Sequence, residues 1–83
     1  MKKGKNYGYH SIEVFANENQ FTIKELGNLV VGEHFLKLTH EEKDIVISFV
    51  LMGGANNQYV YECVYSDFGE FEDENEVLAR GYF

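Results

Sequence analysis

Proline and tryptophan are absent, and cysteine occurs once, at Cys63. A single thiol excludes an internal disulfide, and there is no paired Cys/His array of the structural-zinc kind. No proline-rich linker divides the chain, and no segment repeats another. No apolar run approaches the roughly 20 residues that a membrane-crossing helix needs. The basic opening MKKGK is not followed by an apolar stretch, so no secretory leader is expected. With the lone thiol, this sets the expectation of a cytoplasmic protein with no membrane association.

Basic residues are missing where acids gather. From Asp44 to Ala79 there is no Lys or Arg, against eight acids, within a net charge of −7. Phosphate backbones repel such a surface, which argues against direct nucleic-acid binding by this half of the chain. Catalytic signatures are missing too. No Gly-x-Ser-x-Gly, phosphate loop or dinucleotide fingerprint is present, and Gly53-Gly54 lacks the lysine and helix that a phosphate loop requires. The three histidines have no metal-ligand spacing. The expectation is a non-enzymatic protein without metal or cofactor.

What the sequence does have is aromatic and branched apolar residues. Eighty-three residues form one domain, 1–83, and 13 of them are Phe or Tyr. A chain this short buries only about 60–65% of its unfolded surface, so good packing or self-association must stabilise it. Asp44–Gly53, DIVISFVLMG, is the most apolar stretch. Branched and aromatic residues favour a pleated strand, and apolar character on both alternating faces predicts an interior strand covered on both sides.

In chain order, residues 1–6 read as a flexible basic arm. Tyr7–Ala16 alternates, with Ile12, Val14 and Ala16 on one face, and predicts a strand. Phe21–Gly32 predicts a helix. Thr22 and Glu25 have capping-box spacing, Phe21 and Leu26 form a hydrophobic staple, and Ile23, Leu26, Leu29 and Val30 fall on one helical face. Gly27 within it would cost about 1 kcal/mol relative to alanine. His34–Thr39 reads as a short strand, followed by the charged turn His40–Lys43. Gln58–Ser66 is the clearest alternating strand, with Tyr59, Tyr61, Cys63 and Tyr65 on one face. Asn75–Arg80 reads as a short C-terminal helical segment, with an edge strand over Val77–Phe83 as the alternative. The expected fold is α+β: a mostly antiparallel four-stranded sheet with one helix on a face, in the order β-α-β-β-β, plus that segment.

Two surfaces stand out. Asp67, Glu70, Glu72, Asp73, Glu74 and Glu76 put six acids in ten residues, with Phe68 and Phe71 among them. Aromatics within a charged patch mark an interface, since they supply the apolar anchor that charges lack. The expected role is docking on a basic protein partner, as an inhibitor of the phage or mobile-element type that occupies a nucleic-acid-binding site. The alternative is a dimeric binder of a small nucleotide-like molecule, with Tyr59, Tyr61 and Tyr65 as the dimer or ligand face and Lys2, Lys3 and Lys5 supplying charge. A structural or assembly subunit is the third reading.

Overall fold

The computed structural model describes residues 1–55 and 58–67. The elements are β1 (Asn6–Gly8), α1 (Tyr9–Glu18), β2 (Phe21–Gly27), β3 (His34–His40), β4 (Val46–Ala55) and β5 (Gln58–Ser66). All strand pairs are antiparallel, in the order β1-β5-β4-β3-β2. The α+β class stands, with five strands rather than four. The expected C-terminal helical segment lies outside the described residues.

The first half exchanges helix and strand relative to expectation. Residues 9–18 are helical because Ile12, Phe15 and Ala16 come together at i, i+3 and i+4 and are buried, while Val14 is 38% exposed. Asn19, which is also buried, closes the helix by donating from its side-chain amide to the Phe15 carbonyl at 2.9 Å. Gln20, at φ +59°, then reverses the chain. Residues 21–27 are extended: Phe21 is buried and Ile23 partly so, while Thr22, Lys24 and Leu26 face outward. Glu25 does not reach back to Thr22 as a capping box would; its carboxylate meets His34 Nε2 at 3.2 Å. Seven residue pairs from Phe21↔His40 to Gly27↔His34 fix β2 on β3. Leu29 and Val30, expected on a helix's apolar face, lie in the exposed β2–β3 loop.

Among the described residues β1 and β2 are the two edges of the sheet, and α1 connects them on one face. The ten-residue helix is about 15 Å long and lies nearest β2, with Tyr9 at its start near Glu25 and Phe15 near its end stacked on Phe21. Its buried side chains meet Phe21, Leu36, Leu38, Ile45, Ile47, Phe49, Leu51, Tyr61 and Cys63 in one core. Each large buried apolar side chain contributes about 1.5–3 kcal/mol. β4 is central as expected, but only its inner face is buried. Val46, Ser48 and Val50 are half-buried and Met52 is 45% exposed, and no second layer covers them among the described residues.

Residues 1–5, expected as a loose arm, run beside β5. Met1 is buried, Gly4 N donates to the Cys63 carbonyl at 2.8 Å, and Cys63 N donates to the Lys5 carbonyl at 2.9 Å. Two irregularities bend the sheet: Val64 is an extra residue on β5 and Met52 an extra one on β4. Among the described residues, no helix is long and apolar enough to cross a membrane.

Candidate functional site

Where α1 begins, it stands over the ends of β2 and β5 and leaves a cavity of about 630 Å³. Gly8, Tyr9 and His10 come from the helix start, Glu25 from β2, Leu29 from the β2–β3 loop, and Gln58, Tyr59 and Tyr61 from β5. The volume falls within the roughly 300–1,000 Å³ range of small-molecule sites. Three tyrosines from two elements supply flat apolar walls with polar tips. The Tyr9 and Tyr61 rings lie 6.2 Å apart, tilted by 47°.

Tyr61 is the buried member. Burial, followed by the charge of Glu25 and the neighbouring hydroxyls of Tyr9 and Tyr59, pushes its hydroxyl up to about 12. Burial and the charges of Glu25 and Glu13 raise Tyr9 as well. Both hydroxyls therefore stay protonated near neutrality and can donate or accept a hydrogen bond. The Tyr61 hydroxyl has no hydrogen-bond partner among the described residues.

Two electrostatic features complete the site. The α1 N-terminus has Gly8 as its cap, with no side-chain cap and no acid in the first turn. Its free amides and the helix dipole favour negative charge there. On the other side, Glu25 is held by His34, which is buried and packed against Tyr61 at 6.1 Å between ring centroids. The bond from Nε2 to the carboxylate makes that nitrogen the donor in the neutral ring, leaving Nδ1 as an acceptor. His34 Nδ1 is buried and meets no hydrogen-bond donor among the described residues. The cavity thus has a positive end, a carboxylate and an aromatic body.

Of the expected tyrosine face, Tyr59 and Tyr61 share this cavity and Tyr65 does not. The extra residue Val64 turns Tyr65 to the opposite side of the sheet, opposite Ser48 and 51% exposed. Lys2, Lys3 and Lys5 do not line the cavity. Of the acidic segment, Asp67 alone is described, and it makes internal bonds. Its carboxylate accepts from the Tyr65 hydroxyl at 2.6 Å and from Val46 N at 2.7 Å, clamping the end of β5 to the start of β4. Phe68, Glu70, Phe71, Glu72, Asp73, Glu74 and Glu76 lie outside the described residues. His40 ends β3 and holds the turn that follows: its Nδ1 accepts from Glu42 N and Lys43 N at 3.1 and 3.0 Å. Among the described residues, no cluster of three or more His, Cys, Asp or Glu could hold a metal.

Tyr9, His10, Glu25 and Leu29 are not expected at a ligand site from the sequence, because its local patterns put them in other elements. The i, i+3, i+4 spacing of Ile12, Phe15 and Ala16 was the signal that sets Tyr9 and His10 at a helix start. No protein-family model, curated protein or solved structure matches the chain, so the site is read from its geometry.

Proposed function

We propose that this chain is a non-enzymatic binding protein whose ligand is a small, flat, nucleotide-like molecule. The observation that carries this reading is the cavity of about 630 Å³ walled by Tyr9, Tyr59 and Tyr61. An aromatic ring fits between the tyrosines, Glu25 accepts from its N–H groups, and an anionic group sits at the uncapped start of α1. A cytoplasmic setting belongs to the same reading, since Cys63 is a free thiol. Adenosine monophosphate, guanosine monophosphate and an aromatic carboxylate are suitable probes in a thermal-shift assay. A ligand at 100 times its Kd stabilises by about 2.7 kcal/mol. Tyr59→Ala should remove the shift without unfolding the protein, because Tyr59 is only half-buried. If no probe at millimolar concentration moves the melting temperature, the reading fails.

A second reading follows from the charge pattern: docking on a basic protein partner as an inhibitor that occupies its nucleic-acid-binding site. The supporting observation is the run from Asp44 to Ala79, which has eight acids and no Lys or Arg. Changing Glu70, Glu72, Asp73 and Glu74 to their amides should abolish capture of that partner. Unchanged capture would remove this reading.

A further inference from the structure

We propose that the outer face of the sheet, opposite α1, pairs with the same face of a second copy of this chain. The register lays that face out in rows. One row runs Leu26, Phe35, Val50, Glu62 across β2, β3, β4 and β5, and the next runs Lys24, Lys37, Ser48, Tyr65. Phe35 is 40% exposed and Leu26 41%, and Met52 stands beside them at 45%. The centre of the face is therefore apolar and open to water.

The charges on this face are sorted by strand. Lys24 and Lys37 lie directly opposite each other on β2 and β3, an arrangement that destabilises a sheet by itself. Neither has a carboxylate partner among the described residues. Glu62 stands two strands away on β5, also without a basic partner among the described residues. Among the described residues of one molecule the two signs do not meet, whereas between two copies they do.

A two-fold axis running along β4, in the plane between two stacked sheets, carries β3 of one copy over β5 of the other. Lys37 of each copy then lies over Tyr65 of the other, with Glu62 one row, about 6.8 Å, further along the strand. That distance is within reach of a lysine side chain. Val50 lies near the axis and meets its own copy, and the apolar centres face one another. Such an interface is isologous and closes as a dimer. Four strands over about seven residues present on the order of 450 Å² of projected area per copy, in the size range of weak, transient interfaces. The dimer is accordingly a reversible one. The face is on the other side of the sheet from the tyrosine cavity, so this proposal does not depend on the ligand.

Sedimentation equilibrium of the whole chain over a concentration series tests it. The wild-type protein should approach twice the monomer mass as concentration rises. Phe35→Asp should give monomers with an unchanged circular dichroism spectrum. Met52→Glu, next to Val50 on β4, provides the same test if Phe35→Asp does not fold. Lys37→Glu and Glu62→Lys should each weaken dimerisation about tenfold or more, and combining them should restore it. A wild-type protein that stays monomeric at every concentration overturns the proposal and leaves the face to another partner. A dimer unaffected by Met52→Glu or Phe35→Asp, or charge swaps that do not rescue each other, overturns it equally.

Discussion

Replacing Gly27 with alanine separates the two conformations that residues 21–27 could take. In a helix the change would stabilise by about 1 kcal/mol, because alanine loses less backbone entropy. In the structure Gly27 ends β2 at φ +84°, and a Cβ there would run into the Glu33 carbonyl oxygen and lie 3.2 Å from the Glu33 carbonyl carbon. The left-handed backbone alone costs an L-residue about 1–2 kcal/mol. Moving backbone to relieve the overlap adds about 1–2 kcal/mol more. The expected loss is about 2–4 kcal/mol, so even the sign differs from the helical case. For a domain of this size it lowers Tm by about 10–25 °C. Thermal and urea unfolding followed by circular dichroism provide the readout. Gly32→Ala is the internal control: its φ is +81°, but a Cβ there meets nothing within 4 Å, so its cost stays near the backbone figure. A Gly27→Ala protein as stable as the wild type, or more stable, would refute the strand assignment and the turn that follows it.

Three further outcomes are expected. Ile12→Ala should cost about 2–5 kcal/mol because Ile12 is fully buried, whereas Val14→Ala should cost well under 1 kcal/mol because Val14 faces water; a strand at this position would make the two losses similar, and denaturant titration decides. Ultraviolet titration should show Tyr61 still protonated when exposed tyrosines have ionised, since its hydroxyl is pushed up to about 12. Its folded pKa lies above the unfolded value of 10, so its contribution is intact below pH 10 and is lost as pH rises towards 12, and the urea midpoint should fall across that window. The Cys63 thiol is buried, and burial is the main influence raising its pKa, with the charge of Glu62 adding to the rise while the amino terminus, a hydrogen bond with the Tyr65 backbone and Lys3 oppose it. A thiol reagent at neutral pH should therefore label it only as fast as the protein opens, and rapid labelling of the native state would contradict its place in the core.

The later strands were legible because their patterns are unambiguous. β3 buries His34, Leu36, Leu38 and His40 in strict alternation, and β5 begins and ends where the sequence pattern does. The first half was not legible, because short segments there fit both periods. Ile12, Val14 and Ala16 satisfy a strand, while Ile12, Phe15, Ala16 and Asn19 satisfy a helix, and burial selects the second set. Thr22 and Glu25 have capping-box spacing, yet Phe21, Ile23 and Glu25 also alternate, and pairing along the whole of β3 outweighs the local cap. Tyr65 left its expected face through one extra residue in the ladder, an event that strict alternation cannot anticipate. The cavity draws on both halves, so only its β5 portion, Tyr59 and Tyr61, could be named from the sequence.

The pairing of β1 with β5 has a consequence for synthesis. Asn6 sits beside Glu62 and Tyr7 beside Tyr61, so β1 has no ladder to join until β5 has left the ribosome. Until then the nascent chain holds an edge without its neighbour, and α1 has only the far side of the sheet, through β2, to rest on. Non-local closure of this kind is slow compared with local hairpins. Released fragments that end before residue 62 should be open and vulnerable to proteases, whereas fragments that include all of β5 can close β1 onto it.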